Sequence, residues 1–378
     1  MPQIATSDAR IQELDGLRGL AAASVLVGHY LGEVPHRIPG LALAWVGVDL
    51  FFVISGFLIG TIIFKNRDST NFFGVFYLRR AGRILPIYIL TVCLTLFAIN
   101  ALPSTSWNLP ALNPLYYATF TQNLGMVITG QTGSIWLLPT WTLAVEEQFY
   151  LLSPIVICAL PRRYTFAVII ISILVGVTAR ALFFFQGYEL AGSVLLVSRS
   201  DSLAIGLIAS YANLYWRPIS ENALRYTALV ATGVLLLVLF KNPFLYSVAD
   251  HFLVSIIAVA YVVLAARRSE VLKPLRIKGL QFLGAISYGL YLLHQPISGL
   301  LHGLLLDGIP DIGTPLQIAV TLLATFTSIA CAWISWKYLE SPVLRKARLL
   351  SYKAPGIDPP VQPGGYKTSL TAGARTLM

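Results

Sequence analysis

Apolar residues dominate the chain in long runs, and short polar stretches separate one run from the next. A transmembrane α-helix needs about 20 mostly apolar residues, and ten of these runs approach that length. The pattern therefore predicts an all-α fold: a polytopic integral membrane bundle of about ten transmembrane helices. The predicted helices cover residues 16–33, 43–64, 84–102, 137–160, 164–186, 195–215, 226–241, 252–266, 280–301 and 315–337.

Basic residues alternate from loop to loop along this pattern. One set of loops contains many Lys and Arg residues, whereas the alternate loops contain only Arg37 and Lys241. The longest alternate loop, residues 103–136, has neither Lys nor Arg. Because loops rich in Lys and Arg stay in the cytoplasm, both termini are predicted to be cytoplasmic. The basic loops carry Lys65, Arg67, Arg79, Arg80, Arg83, Arg162, Arg163, Arg217, Arg225, Arg267, Arg268, Lys273, Arg276, Lys278, Arg345, Lys346 and Arg348.

Composition agrees with a chain surrounded by membrane lipid. The 378 residues are 56% hydrophobic and only 12% charged, whereas soluble domains are about 25% charged. The net charge of +10 is therefore assigned to cytoplasmic loops, and no nucleic-acid partner is expected. Residues 1–348 form the predicted membrane domain. Residues 349–378 are rich in Pro and Gly and are predicted to be a disordered cytoplasmic tail.

The first predicted helix contains two polar residues that a lipid-facing helix should not carry. In LDGLRGLAAASVLVGHYLG, Arg18 and His29 lie eleven positions apart. At 100° and 1.5 Å per residue they share one helix face, with about 16 Å between them along the axis. Ionisable residues inside a membrane usually face the protein interior and mark function. The alternative is an arginine that reaches the interface and a histidine hydrogen-bonded in the core.

Further ionisable residues are predicted at the depth of His29, in the outer half of the membrane. Exposing each charge to lipid would cost roughly 2.5 kcal/mol or more, so they are expected to line a wet internal cavity. Structural ion pairs are the alternative explanation. These residues are Asp49, Glu146, Glu147, Arg199, Asp201 and His294.

A pair of arginines is predicted near the cytoplasmic side. In FYLRRAGRILP, Arg80 and Arg83 stand at positions i and i+3, which are neighbours on a helix. Planar guanidinium groups suit phosphate recognition. The alternative is an ordinary basic loop that only sets the orientation of the chain.

Several of these segments resemble the membrane-bound acyltransferase-3 family, which includes bacterial polysaccharide O-acetyltransferases. The resemblance covers nearly all of residues 10–346 and includes the Arg18–His29 pair and the arginine motif FYLRRAGRILP. It implies that residues 1–348 are an acyltransferase domain and that His29 is the essential histidine with Arg18 as its companion. It also implies that Arg80 and Arg83 handle acyl-CoA. The other similar blocks are GVDLFFVISGFLI, WTLAVEEQFYLLSP, SRSDSLAIG, SYGLYLLHQP and YLESPVLR.

Other catalytic signatures receive little support. His302 and Asp307 match the spacing of the His-four-residues-Asp motif of glycerolipid acyltransferases, but they fall at an outer loop without the companion blocks. The sequence contains no Walker phosphate loop, no G-x-S-x-G elbow and no zinc signature. No metal is expected.

The resulting hypothesis is an integral-membrane O-acyltransferase of the bacterial inner membrane. It would transfer acetyl from acetyl-CoA to a hydroxyl of a cell-surface or exported glycan, or of another hydroxylated acceptor. His29 would act as the base, with Asp49 or Glu146 orienting it. Arg18 or Arg199 would stabilise developing charge, and Arg199, Asp201 and His294 would bind substrate. Direct transfer and an acyl-histidine intermediate both stay open, and the alternative functions are a transporter or flippase and an inactive scaffold.

Overall fold

Helices account for nearly all secondary structure in the described part of the chain. The computed structural model describes residues 11–354 except 43, 104, 106, 217 and 242, with side chains described outside 237–248. Within that part there is no β-strand, which agrees with the predicted all-α class. The predicted tail lies outside the described residues from position 355 onward.

The long helices follow the apolar runs. They are α1 (Gln12–Val27), α2 (Ala44–Asn66), α3 (Phe72–Ala101), α6 (Thr140–Ala159), α7 (Arg162–Phe185), α9 (Leu196–Tyr215), α10 (Glu221–Lys241), α11 (Pro243–Ala266), α12 (Lys278–Leu306) and α13 (Pro315–Ser335). Shorter helices are α4 (Pro114–Ala118), α5 (Gln122–Thr129), α8 (Glu189–Val194) and α14 (Ser341–Arg348). A π-helical turn, Gly28–Gly32, continues α1, and a second, Trp336–Glu340, joins α13 to α14.

A helix lies at each of the ten predicted positions, but the number of spans is not thereby established. Among the described residues, seven helical units are long and apolar enough to cross a membrane. These units lie in α2, α3, α6, α7, α8–α9, α11 and α13–α14. Helices α1, α10 and α12 are not among them, so a count of ten spans stays a prediction.

Helix α3 begins twelve residues before its predicted start at position 84. The apolar pattern ends at the arginines, but Arg, Leu and Ala favour helix strongly and continue it back to Phe72. Arg80 and Arg83 therefore occupy neighbouring turns of a helix and not a loop. Pro86 lies inside the same helix.

Glycines bring the central helices into close contact. A Cβ atom on Gly284 of α12 would collide with the carbonyl oxygen of Asp15 on α1. A Cβ on Gly206 of α9 would collide with the carbonyl oxygen of Val53 on α2. Small residues at helix crossings are typical of membrane bundles, where backbone packing replaces the hydrophobic effect. These two crossings place α1, α2, α9 and α12 around the site described below.

The loops meet in the two groups that the charge pattern predicts. At one end, His36 of the first loop contacts Asp311, and Trp107 donates a hydrogen bond to Asp307 (2.8 Å). We call this the outer end, after its predicted location. At the other end, Arg276 pairs with Glu13 (2.7 Å). We call this the basic end. Which end faces the cytoplasm stays a prediction.

The segment 349–354 lies against the basic end of α3. Arg79 Nε donates to the carbonyl oxygen of Leu350 (2.9 Å), and Asn71 Nδ2 donates to that of Ser351 (2.9 Å). The Tyr352 ring stacks on Phe72 with centroids 6.0 Å apart. Residues 349–354 are therefore in contact with α3 at the basic end.

Candidate functional site

A cavity runs through the bundle from the basic end towards the outer end. It encloses about 780 Å³ of empty space, part of which is open to the surroundings. Arg18 of α1 and Arg80 and Arg83 of α3 line it together, whereas Thr142 and Tyr291 line its outer part. The remaining lining residues are Val48, Phe51, Phe52, Ile54, Ser55, Leu58, Ile59, Ile84, Leu143, Glu146, Tyr150, Ser287 and Tyr288.

Positive charge is concentrated at the basic end of this cavity. Arg80 and Arg83 are partly buried, and neither has a carboxylate within ion-pair distance among the described residues. Arg18 lies 3.7 Å from Asp15. Guanidinium groups that are not paired with carboxylates can bind an anionic ligand such as a phosphate. The arginine pair predicted from the sequence is therefore placed on a cavity wall.

Glu146 lies in the wall between the two ends. Its Oε1 accepts a hydrogen bond from Ser55 Oγ of α2 (2.6 Å). Tyr150, one turn further along α6, lines the same cavity. A second cavity on the other side of Arg80 and Tyr150 is lined by Glu147. The structure thus separates two adjacent glutamates that the sequence places side by side.

His29 and His294 form a hydrogen-bonded pair near the outer part of the cavity. His29 Nδ1 lies 2.7 Å from His294 Nε2, and the two rings are nearly parallel, at 11°. His294 Nδ1 lies 3.1 Å from the carbonyl oxygen of Leu290. His29 retains 16% exposure of its side chain, whereas His294 is buried.

These contacts determine which nitrogen of His29 can act as a base. A carbonyl oxygen only accepts hydrogen bonds, so His294 Nδ1 must carry the hydrogen. In a neutral imidazole the other nitrogen then accepts, so His294 Nε2 receives the hydrogen of His29 Nδ1. His29 Nε2 is left with its lone pair free. The pair therefore presents one proton acceptor, at a defined atom.

Local structure holds the histidine pair in place. Tyr30 donates its hydroxyl hydrogen to the carbonyl oxygen of His294 (2.6 Å), and its oxygen lies 3.1 Å from Ser328 Oγ. His29 and Tyr30 belong to the π-helical turn, which shifts their directions relative to a regular α-helix. Single π-turns inside helices often occur at functional sites. The sequence spacing alone does not reveal this turn.

Tyr291 connects the cavity with the histidine pair. Its ring lies 5.9 Å from that of His294, and it lines the cavity. Its hydroxyl lies 2.8 Å from Thr142 Oγ1 and donates to the carbonyl oxygen of Pro139 (3.2 Å). Tyr291 is therefore a cavity-lining residue that also contacts the histidine pair, although neither histidine is among the residues that line the cavity.

The other predicted polar residues form a separate cluster. Asp49 pairs with Arg199 and lies 2.7 Å from His251 Nδ1. Arg180 binds both carboxylate oxygens of Asp201, at 2.6 and 3.2 Å. The two ion pairs are at most 3% exposed. Here the alternative explanation, structural ion pairs, describes most of the contacts.

Arg199 is the exception within that cluster. Its Nε and Nη1 have no hydrogen-bond partner among the described residues. Its guanidinium carbon lies 5.3 Å from the centroid of the Phe52 ring, which lines the cavity. Phe52 thus stands between Arg199 and the cavity.

The structure changes the expected partners of His29. Among the described residues, the contacts of Asp49 go to Arg199, His251 and Ser202, and the hydrogen bond of Glu146 goes to Ser55. The predicted orienting contact from Asp49 or Glu146 is not formed. His294, predicted to bind substrate, contacts His29 instead.

Several site residues were not identified from the sequence. Arg180 interrupts an apolar helix, so its charge was a usable signal. His251 was missed because it immediately precedes the predicted helix 252–266. Glu33 lies 3.5 Å from His29 Nε2, four positions along the chain, at the last position of the first predicted helix.

The His302–Asp307 spacing does not produce a dyad in this fold. His302 Nε2 lies 3.1 Å from Thr321 Oγ1, and Asp307 accepts from Trp107. The described residues also contain no group of three or more His, Cys, Asp or Glu suited to a metal ion.

Comparison with known proteins gives a consistent family assignment. The model of a family described as an acyltransferase domain matches residues 11–337. O-acetyltransferase OatA of Staphylococcus aureus is 26% identical over 361 residues, which cover 88% of this chain and 57% of the relative. Peptidoglycan O-acetyltransferase OatA of Listeria monocytogenes is 24% identical over 375 residues, covering 90% and 57%. The chain thus spans little more than half the length of these relatives. No solved structure matches it significantly.

Proposed function

We propose, because this chain belongs to the acyltransferase-3 family, that it is an integral-membrane O-acetyltransferase acting on a cell-wall glycan. The supporting observation is a cavity lined by Arg80, Arg83 and Tyr291, with the Tyr291 ring next to the His29–His294 pair. The names of the similar proteins favour acetyl as the group transferred and peptidoglycan as the acceptor. The multi-pass chain would lie in the bacterial inner membrane.

Acetyl-CoA is the proposed donor because the cavity matches the chemistry of coenzyme A. Arg80 and Arg83 would bind its phosphates at the basic end. Hydrogen bonds between a guanidinium and a phosphate are charge-assisted and are stronger than those between neutral groups. Arg18 continues the positive wall inward. The apolar middle section, with Leu58 and Ile59, suits a flexible pantetheine arm, which would carry the thioester towards Tyr291.

His29 is the proposed base. Its Nε2 would take the proton of an acceptor hydroxyl while the hydroxyl oxygen attacks the acetyl carbonyl carbon. The carbon–sulfur bond then breaks, and His29 returns the proton to the leaving thiolate. Arg18 lines the cavity about 16 Å along the helix axis from His29, so it would bind the donor and not the reacting carbonyl oxygen. An acyl-histidine route would use the same Nε2 lone pair as nucleophile.

The other predicted site residues receive supporting roles in this proposal. His294 positions His29, because its hydrogen bond selects the tautomer with a free Nε2. Asp49, Arg199 and Asp201 hold α2, α7 and α9 together behind the cavity wall. Glu146 provides negative charge near the arginines. Substrate contact by Arg199 would require Phe52 to move.

The test is transfer by the purified full chain in detergent or nanodiscs. Acetyl-CoA is supplied with soluble peptidoglycan fragments, and free thiol and acetyl ester are both measured. Thiol release that depends on acceptor, with matching ester formation, supports the proposal. Translocation of a fluorescent glycan across proteoliposomes without ester formation would support the transporter alternative instead.

A further inference from the structure

We propose that Glu33 binds the acceptor beside His29 and thereby selects which hydroxyl is acetylated. This inference rests on the proposed transfer reaction and adds a specificity-determining residue to it. It assigns the acceptor a chemical class: a molecule with two neighbouring hydrogen-bond donors, such as a vicinal diol or a hydroxyl beside an amide N–H.

The first support is the juxtaposition of two hydrogen-bond acceptors. Glu33 Oε2 lies 3.5 Å from His29 Nε2. Since His29 Nδ1 donates to His294, the Nε2 atom carries a lone pair, as do the oxygens of an ionised carboxylate. Neither atom can satisfy the other without an added proton. A ligand that offers two hydrogens would satisfy both.

The second support is the position of Glu33 relative to the membrane bundle. Its side chain is 43% exposed, whereas that of His29 is 16% exposed. An acceptor arriving from the outer end would therefore meet Glu33 before or together with His29. Tyr291, which lines the proposed donor cavity, has its ring 5.9 Å from that of His294, whereas Glu33 lies beside His29. The two substrates would thus approach His29 from different directions.

The third support is that the loop carrying Glu33 is held in place. Ile38 N donates to the carbonyl oxygen of Leu31 (2.8 Å), which closes the loop on itself. His36 N donates to Asp311 Oδ1 (2.9 Å), which fastens it to the loop before α13. Gly32 packs so tightly on Leu41 that an added Cβ would collide with its backbone. A carboxylate on a held loop can orient a ligand and not merely attract it.

The chemical consequence is selection among hydroxyls of one sugar. One hydroxyl donates to His29 Nε2 and becomes the nucleophile, while its neighbour donates to the Glu33 carboxylate. A hydrogen bond to a charged group contributes enough to change affinity by roughly 10- to 150-fold. Acceptors without the second donor would lose that contribution.

A different role for Glu33 makes a different prediction. If the carboxylate only stabilised positive charge on His29 during proton transfer, its removal would slow transfer to every acceptor equally. Acceptor structure therefore distinguishes binding from charge stabilisation.

The experiment compares two matched acceptors with wild type and Glu33→Ala. One acceptor is a methyl glycoside with a vicinal diol, and the other is the same sugar with one of the two hydroxyls O-methylated. We expect Glu33→Ala to lower kcat/KM about 10- to 100-fold for the diol, mainly through KM. The methylated acceptor should change less than about threefold, and the diol products should become a mixture of positional esters. For the diol, the kcat/KM of Glu33→Gln should fall between that of wild type and that of Glu33→Ala.

Controls separate this inference from the proposed function and from misfolding. Glu189→Gln, an exposed glutamate at the start of α8, should behave as wild type with both acceptors. Retained acetyl-CoA binding and thermal stability show that Glu33→Ala is folded. Equal loss with both acceptors, or no loss with either, would overturn the role of Glu33 while wild-type transfer stands. Absence of wild-type transfer to any acceptor would instead refute the proposed function.

Discussion

The histidine pair and the ion-pair cluster are both polar groups inside a membrane bundle, but their bonding differs. In the cluster, Asp201 is bound by Arg180 through two hydrogen bonds, and Asp49 is bound by Arg199 and His251. In the histidine pair, His29 donates to His294 and His294 donates to a backbone carbonyl, so Nε2 of His29 receives no hydrogen from the described residues and has only the Glu33 carboxylate beside it, at 3.5 Å. A cluster whose carboxylates are neutralised by bound cations holds helices together, whereas a chain of hydrogen bonds with one free acceptor can exchange a proton.

Exposure alone does not distinguish the two regions. His29 and His251 both retain 16% exposure of their side chains. His251 Nδ1 donates to the Asp49 carboxylate, and its Nε2 lies 4.0 Å from Asp250. The partner of Nδ1, which is an ion-paired carboxylate for His251 and a second imidazole for His29, is therefore the basis on which we assign different roles to the two histidines.

The largest expected effect comes from replacing His29, whose Nε2 is the proposed proton acceptor. His29→Gln should lower kcat for transfer by about 10²- to 10⁴-fold, because general base catalysis is lost while the side chain stays uncharged. The measurement is acetyl ester formation at saturating donor and acceptor. His251→Gln is the matched control and should keep kcat within a few-fold. Comparable losses in both variants would abolish the distinction between the two regions.

The next effect concerns the stability of the cluster. Asp201→Asn removes the carboxylate charge that Arg180 binds through two hydrogen bonds in the buried cluster, which should lower the free energy of unfolding by about 3–5 kcal/mol. Thermal unfolding in detergent measures the change. Asp68→Asn removes the partner of Arg162 in an ion pair that is about 60% exposed, and should cost less than about 1 kcal/mol. Similar losses in the two variants would show that the cluster contributes no more than a surface pair.

Helix positions were predictable because they follow from local periodicity. Apolar runs locate helices at all ten predicted positions, whereas the direction of His29 depends on a π-helical turn that a regular helix does not contain. The charge pattern likewise groups the loops into two ends. Nothing in that reasoning depends on which helices are neighbours.

Side-chain partners were not predictable because they depend on helix packing. His29 and His294 are 265 positions apart, and their contact exists because α1 crosses α12 at Gly284. The same depth in the membrane made Asp49 and Glu146 equally reasonable partners of His29. Depth gives the position of a residue along the membrane normal only. A hydrogen bond also depends on the positions of both residues in the membrane plane, which helix packing determines. Glu33 was missed for a simpler reason, since it is the last residue of the first predicted helix, where a charged side chain at the membrane interface gives no signal of function.

A smaller effect tests whether the cavity arginines differ from those of the cluster. Replacing Arg80 and Arg83 together by Ala should weaken acetyl-CoA binding about 10- to 100-fold, with little change in stability, because neither arginine is ion-paired with a carboxylate in the described part of the chain. Calorimetric titration with a non-hydrolysable donor analogue measures affinity. Lysine at both positions should restore only part of it, since the planar fork is lost. Arg163→Ala, an exposed arginine at the start of α7, is the control. Unchanged donor affinity in the folded double variant would remove the donor assignment.

The smallest effect concerns the pair formed by His36 and Asp311, which lies outside the membrane-spanning segments. Desolvation alone would raise the pKa of Asp311, but hydrogen bonds from the His36 backbone N–H and imidazole lower it below the usual range of an aspartate. A carboxyl whose folded pKa is lowered contributes stability above its unfolded pKa of about 3.9 and loses it as pH falls through the folded pKa. Asp311→Asn should therefore be less stable than wild type at pH 7, by less than about 1 kcal/mol because His36 is exposed. The difference should shrink as the pH is lowered below about 4, which thermal unfolding at a series of pH values would show. A difference that stayed constant at low pH would mean that Asp311 acts through packing and not through its charge.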